Sequence, residues 1–582
     1  MKFSESPKDT SPAGKQDPRQ GFLIFKQGIS QMKRSGASIV IEALCRNGVD
    51  TVFGYPGGAV LPIYDELYKN ARRIHHVLCA HEQNAAHAAD GYARVTGRPG
   101  VVIATSGPGA TNLVTGIANA YLDSVPLVAI TGNVAVPLLG RDSFQEVDIT
   151  GITRPVVKHN FAVSDVRRLD GILDAAFRIA LSGRPGPVLV DIPKSIQTDL
   201  CHESEYTEQP FFPPPLPEPD LDEACRLIAD AKRPLIYSGG GVVSAGASGE
   251  LLDLAKQISA PVMFSMMGLT ALAADEPLNL GMCGMHGTRS SAAMFSESDL
   301  VIALGVRFSD RAAGNTVQYK EGKKIIHVDI DHAEINKNVA ADVELHGEVR
   351  KVLQQLLQRL PRISRPEWEK RCAEAKKLDF RPKEEQLTPF SLLRTVAEYC
   401  APDTVIATDV GQHQMWTMQY FPFRTPRTLL TSGGLGTMGF GMGAAIGGCI
   451  ASGRKRTVLF TGDGSFGMSL QELATAVSQN LPLLIVIFNN GVLGMVRQWQ
   501  TMFYEKHYSH TTLNRQTDFA ALARAFGAHG KKITSLAQLE RALYDPAPDL
   551  PTVLDCRLDM DEFVLPMIPP GGSVKDLITR KG

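Results

Sequence analysis

No charge of one sign dominates this sequence: 60 lysines and arginines face 61 aspartates and glutamates, a formal net charge of −1. Without a basic block there is no electrostatic footprint for nucleic acid or an anionic membrane, and neither is expected as a partner. No apolar run is long enough to span a bilayer. The nine cysteines lie singly with no Cys-x-x-Cys pair, which argues against a disulfide framework or a zinc site. Such a set suits a reducing compartment, so a cytoplasmic location is expected. Residues 1–34 mix Lys, Asp, Pro and Ser around the short apolar patch Gly21-Phe22-Leu23-Ile24-Phe25. They read as a mobile tail without a signal-peptide core.

What is present is a long chain with ample apolar material: 582 residues, 44% hydrophobic, the size of about three ordinary domains. Two breaks divide it. Phe211-Phe212-Pro213-Pro214-Pro215-Leu216-Pro217-Glu218-Pro219 is a stiff, extended stretch, and Arg365 to Gln386 is charged and in part helical. The expected organisation is a tail to residue 34, domains over 35–205, 223–364 and 389–582, and linkers over 206–222 and 365–388. Apolar, β-branched runs alternate with helical spacing in all three parts. The fold class is therefore α/β, with three domains that are each a mainly parallel sheet flanked by helices.

The third domain carries Thr461-Gly462-Asp463-Gly464-Ser465-Phe466 after the strand-like Thr457–Phe460, and Asn489-Asn490-Gly491 after Leu483–Ile487. Leu470 to Val477 between them is spaced as a helix. Asp463 and Asn490 thus end two parallel strands on one edge of a sheet, where ligands bind. A carboxylate and an amide on Gly-rich turns are hard ligands for a magnesium ion that also holds a diphosphate. The first domain echoes this design, with Val102–Ala104, then Thr105-Ser106-Gly107-Pro108-Gly109, a helix, and Pro126–Ile130. One offset aligns both ends, since 461 less 105 and 482 less 126 are both 356. The two domains read as copies, although only the third has the metal-ligand pair. The middle domain offers Ser238-Gly239-Gly240-Gly241 between strand and helix; this turn departs from Gly-x-Gly-x-x-Gly and fits either a pyrophosphate site or a tight turn.

The Gly-Asp-Gly and Asn-Asn pair resembles the thiamine-diphosphate (ThDP) motif. From about Ser35 to Ile578 the chain resembles the large, catalytic subunit of acetohydroxyacid synthase (acetolactate synthase). The strings that carry the likeness include Phe53-Gly54-Tyr55-Pro56-Gly57-Gly58, Ser106-Gly107-Pro108-Gly109-Ala110-Thr111-Asn112 and Ser143-Phe144-Gln145-Glu146-Val147-Asp148. Further along are Gly411-Gln412-His413-Gln414-Met415-Trp416, Gly433-Gly434-Leu435-Gly436-Thr437-Met438-Gly439 and Gly494-Met495-Val496-Arg497-Gln498-Trp499.

The resemblance implies a ThDP-binding fold for the first and third domains and a Rossmann-like middle domain that binds FAD. It places Glu82 on N1′ of the aminopyrimidine, where it promotes proton removal from C2 of the thiazolium. It places Pro56, Gly57, Val410, Gly411, Gln412, His413, Gly436, Gly462, Asp463, Gly464, Ser465, Asn490 and Met495 around ThDP. Met438 lies beneath the bent cofactor, and Mg²⁺ is held by Asp463, Asn490 and the carbonyl of Val492. Arg184, Gly239, Gly240, Gly241, Met267, His286, Arg307, Asp310, Asp329 and Asp342 match the FAD site. Phe144, Gln145, Lys194 and Trp499 match the substrate site, with Glu82, Gln145, Met438 and Trp499 as the catalytic set. The segment Gly491 to Phe503 reads as a lid. The family usually carries Asp where this chain has Ser in Arg307-Phe308-Ser309-Asp310-Arg311, so one carboxylate near the flavin is replaced by a hydroxyl.

The implied activity is decarboxylative condensation of pyruvate with pyruvate or 2-oxobutyrate in branched-chain amino acid biosynthesis. The implied assembly is a homodimer or homotetramer with a small regulatory subunit. The alternatives are a catabolic acetolactate synthase serving acetoin formation, and another FAD-and-ThDP enzyme. Glu82 argues against glyoxylate carboligase, whose matching position is apolar. Phe144-Gln145-Glu146-Val147-Asp148 and Met495-Val496-Arg497-Gln498-Trp499 argue against pyruvate oxidase. A binding protein that merely retained the fold would have lost Glu82, Asp463 or Asn490, and all three are present.

Overall fold

The computed structural model describes residues 33–211, 213, 215–544 and 549–580. The expected tail therefore lies outside the described residues apart from 33 and 34. Three six-stranded parallel sheets follow one another along the chain. The first contains β1 (Thr51–Tyr55), β2 (His75–Leu78), β3 (Gly100–Ala104), β4 (Leu127–Asn133), β5 (His159–Ala162) and β6 (Pro187–Pro193). The second contains β7 (Pro234–Ser238), β8 (Val262–Phe264), β9 (Asn279–Met282), β10 (Leu300–Leu304), β11 (Lys324–Asp329) and β12 (Val343–His346). The third contains β13 (Val405–Thr408), β14 (Leu429–Leu430), β15 (Thr457–Gly462), β16 (Leu483–Asn489), β17 (His529–Ile533) and β18 (Thr552–Arg557).

The outer sheets share one topology, β2-β1-β3-β4-β6-β5 and β14-β13-β15-β16-β18-β17. The 356-residue offset carries β4 onto β16 at both ends. Both strands are buried throughout, which explains their unbroken apolar runs. The likeness extends to polar detail: Asn133 donates to Asp191 at 2.7 Å, and Asn489 donates to Asp555 at 2.7 Å. Each aspartate stands opposite the residue two before its asparagine.

The two copies pack through α1 (Glu82–Thr96) and α2 (Phe440–Ala451). Their backbones touch because glycine occupies both crossing points. A Cβ on Gly91 would lie 2.3 Å from the Ala444 carbonyl oxygen, and one on Gly447 would lie 1.8 Å from that of Ala88. These two contacts exchange under the offset, so the helices cross about a pseudo-twofold axis. One hydrophobic cluster runs through both domains, from Phe53 and Val102 to Leu459 and Phe466.

The middle sheet has the order β9-β8-β7-β10-β11-β12, the doubly wound dinucleotide-binding arrangement. The charged segment after it packs back onto this domain. Arg365 donates to the carbonyls of Ala231 (2.9 Å), Ile228 (2.6 Å) and Ile258, and the Trp368 indole donates to the Pro234 carbonyl at 2.9 Å. Among the described residues no helix is long and apolar enough to cross a membrane.

Candidate active site

At the carboxyl ends of β15 and β16, Asp463 and Asn490 face each other across the sheet edge. Asp463 is 6% exposed and accepts the Gly491 amide at 3.1 Å on Oδ2. Burial pushes its carboxyl up to about 6 against hydrogen bonds that pull the other way, a value suited to a group that a cation will neutralise. The Asn490 side chain accepts the Val492 amide at 3.2 Å and donates weakly to Gln412 at 3.4 Å. Ser465 donates to the Val410 carbonyl at 3.0 Å, which ties the Gly-Asp-Gly turn to the loop after β13. His413 is buried with Nε2 unpartnered, and desolvation pushes its imidazole down to about 3, so it stays neutral. A Cβ on Gly411 would lie 2.8 Å from the His413 ring, so this turn must be bare. Met438 leans over the turn; its methyl lies 3.8 Å from where a Cβ on Gly464 would be.

Buried Asp409 supports this edge. It accepts the amides of Gly439 (2.9 Å) and Gly441 (2.8 Å) and the Thr461 hydroxyl (2.7 Å), joining the Met438 turn to β15. Gln412 donates to Gln498 at 3.0 Å and to the Glu562 carbonyl at 2.8 Å. The segment read as a lid is mostly α3 (Gly494–Phe503), pinned at its buried Gln498, which accepts the Val564 amide at 2.8 Å. Glycine at 494 lets this helix close on Gln412, since a Cβ there would lie 2.0 Å from Oε1.

Glu82 starts α1, where the helix N-terminus favours a carboxylate. It accepts the Asn112 amide at 2.9 Å, beside the Ser106-Gly107-Pro108-Gly109 turn. Gln145 has φ +60°, and its backbone presses on Gly107, where a Cβ would lie 2.9 Å from that of Gln145. Gly57 packs on Thr105, and Pro56 beside it is exposed. Phe144 is 88% exposed, and Lys194 is exposed at the start of a short helix.

A cleft of about 1110 Å³ opens at the carboxyl edge of the middle sheet and reaches Val410, Gly411, Gly436, Met495 and Trp499 of the third domain. Arg184, Gly240, Gly241, Met267, His286, Arg307, Asp310 and Asp329 line it. Arg184 donates to Ser124 of its own domain at 2.8 Å and crosses to Glu334 of the middle domain at 2.7 Å. Burial holds His286 down at about 4, with Nδ1 unpartnered, and lifts Asp329 to about 6. Gly239 sits behind the turn, where a Cβ would meet the Gly305 carbonyl at 2.1 Å. Ser309 lines the cleft and precedes the short helix Asp310–Ala313 without a side-chain capping bond.

Asp342 is a correction to the sequence reading. It precedes β12 and accepts Lys324 Nζ and the Ile325 amide, both at 3.0 Å. These mark the amino edge of the sheet, opposite the cleft. Arg311 was missed: its guanidinium lies 5.5 Å from the Trp499 ring centroid and lines the same cleft. The string Arg307 to Arg311 was its local signal, but nothing in the sequence links it to an indole nearly 190 residues on. Pro56, Gly57, Glu82 and Gln145 do not line this cleft.

Three thiamine pyrophosphate enzyme models match the chain: the N-terminal TPP binding domain over residues 34–152, the central domain over 221–356 and the C-terminal TPP binding domain over 409–556. The acetolactate synthase isozyme 2 large subunit of Escherichia coli (strain K12) is 45% identical over 560 residues, covering 94% of this chain and all of that protein. The chain belongs to the acetolactate synthase large-subunit family. Its likeness to such subunits extends to Corynebacterium glutamicum, at 44% over 94% of this chain and 90% of the relative. The probable acetolactate synthase large subunit of Methanocaldococcus jannaschii is 43% identical over 93% of this chain and 95% of its own. Glu82 lies within the match to the N-terminal TPP binding domain and Asp463 within the match to the C-terminal one.

Proposed function

We propose that this chain condenses two 2-oxo acids with loss of carbon dioxide, pyruvate with pyruvate or with 2-oxobutyrate, in branched-chain amino acid biosynthesis. The observation that carries the reading is the pairing of a bare, Gly-lined diphosphate cradle around Asp463 with Glu82 in the matching copy of the same fold. Bound ThDP supplies the nucleophilic carbon and the electron sink. Everything else falls to the chain.

Asp463, Asn490 and the Val492 carbonyl would be the hard oxygen donors that hold Mg²⁺, which would in turn anchor a diphosphate. The unpartnered His413 nitrogen and the bare Gly411, Gly462 and Gly464 turns fit that diphosphate. Glu82 holds a proton at N1′ of the aminopyrimidine. Met438 would support ThDP where its thiazolium and aminopyrimidine meet. Trp499 shapes the acceptor pocket, and Arg311 beside it is placed to take the acceptor carboxylate. The cleft's glycine turn, its orphaned His286 nitrogen and its sheet order fit FAD, with Ser309 offering a hydroxyl.

Within one chain the cleft that touches Gly411, Gly436 and Met495 lacks Glu82, Pro56 and Gln145. We therefore read the complete site as formed between two copies, with exposed Phe144 and Lys194 closing the partner's cleft. The relatives are named large subunits, which supports a small regulatory subunit as a further partner.

The test is pyruvate turnover with ThDP and Mg²⁺, followed with and without 2-oxobutyrate. Acetolactate without oxygen uptake is expected, with preference for 2-oxobutyrate that weakens about tenfold in Trp499→Leu. Peroxide formation would refute the reading.

A further inference from the structure

Glu472 is a buried carboxylate that no step above uses. It lies nine residues after Asp463, in the third domain, yet its partners are in the first. Both of its oxygens accept the Ala80 amide, at 3.1 and 3.2 Å, and the His81 amide and the Asn84 side chain also bond to it. Thr475 donates to it at 2.7 Å and reaches the Leu78 carbonyl at 3.4 Å. These first-domain partners run from the last residue of β2 to the first turn of α1 and flank Glu82 on both sides.

The copy relation makes the contact more than a local accident. Under the 356-residue offset Glu82 corresponds to Met438 and Thr475 to Asn119, whereas Glu472 falls on Gly116 and Gln479 on Asp123, so the two grips share a place in the fold but not the same residues. Asn119 and Asp123 do for the Met438 turn what Glu472 and Thr475 do for the Glu82 turn. Asn119 accepts the hydroxyls of Ser432 (2.5 Å) and Thr437 (3.3 Å), and Asp123 accepts the amides of Gly433 (3.1 Å) and Gly434 (2.7 Å). Arg94 bridges Asp123 at 2.9 Å and the Thr431 carbonyl at 2.9 Å. Each domain thus grips the other's turn with the helix that follows its own glycine loop.

We propose that Glu472 is a positioning residue for Glu82, one half of a reciprocal clamp whose other half, Asn119 and Asp123, positions Met438. Taking both oxygens to the amides that open α1 fixes the start of that helix, and so the direction in which the Glu82 carboxylate leaves it. A misplacement of about 1 Å at a proton-transferring group costs on the order of 100-fold. The inference rests on the reading of Glu82 as the acid at N1′.

The test compares Glu472→Ala, Glu472→Gln and Glu82→Gln in the full chain. Amide exchange over residues 79–84, without cofactor, reads the clamp alone; C2-proton exchange of bound ThDP with Mg²⁺ reads the chemistry. Glu472→Ala should speed exchange at Ala80 and His81 about tenfold. It should slow C2 exchange about 100-fold, with ThDP affinity held within about threefold. Glu472→Gln keeps one acceptor and should slow C2 exchange about tenfold, between the parent and Glu472→Ala. Unchanged C2 exchange in Glu472→Ala overturns the inference; should that variant not fold, unchanged amide and C2 exchange in Glu472→Gln does so. Unchanged C2 exchange in Glu82→Gln would instead overturn the reading of Glu82.

Discussion

Asp463 and Gly107 occupy the same place in two copies of one fold, and they could not be less alike. After β15 the turn carries a carboxylate on the sheet edge. After β3 it cannot accept even a methyl group, because the Gln145 backbone lies against it. The two sheets present equivalent edges, and in the proposed function single residues divide the labour between them. The same division recurs one connection later. The loop after β4 carries Phe144 and Gln145, whereas β16 is followed by Asn490 and then by α3 with Trp499.

The sharpest way to break this comparison is to remove the side chain from one copy and add one to the other. Asp463→Ala should lower turnover about 1,000-fold, the equivalent of losing about 4 kcal/mol of metal-dependent stabilisation. Magnesium affinity, measured by calorimetry with ThDP present, should fall with it. Gly107→Ala should cost about 100-fold in kcat/KM through displaced Gln145 and a strained φ of +58°, with Mg²⁺ and ThDP affinity unchanged. Equal loss of metal binding in both variants would erase the distinction.

A third, smaller effect sharpens it. In the metal-free protein Asp463 is lifted to about 6 by burial, so below that pH its carboxyl is protonated and the cation must displace a proton. Apparent Mg²⁺ affinity should fall about tenfold for each pH unit below 6 and level off above it. Asp191 in the other copy is also lifted to about 6, by burial among Asn133 and Thr131. Its titration, followed by carboxyl NMR, should not respond to Mg²⁺.

Much of the scaffold was legible because buried parallel strands are continuous apolar runs, and a repeated spacing of such runs survives divergence. The offset located β4 and β16, and with them the ends that carry the site. What stayed hidden was polar and distant. Glu472 meets Ala80, and Arg311 meets Trp499, across stretches of chain that no periodicity links. Asp342 shows the converse error. Likeness to a motif assigned it to the flavin, but its place before β12 puts it on the wrong edge of the sheet. The charged stretch from Arg365 is part helical, as its sequence suggests, but its composition does not show that Arg365 is buried, because buried and exposed guanidinium groups read alike.

The crossing of α1 and α2 has a consequence for descent as well as for shape. Gly91 abuts Ala444 and Gly447 abuts Ala88, so each glycine's freedom to vary is owned by a residue of the other copy. A larger residue at 91 demands withdrawal around 444, and one at 447 demands it around 88. The two halves of this ancestral pair are therefore expected to drift together, inheriting substitutions in couples long after their surfaces and ligands have parted ways.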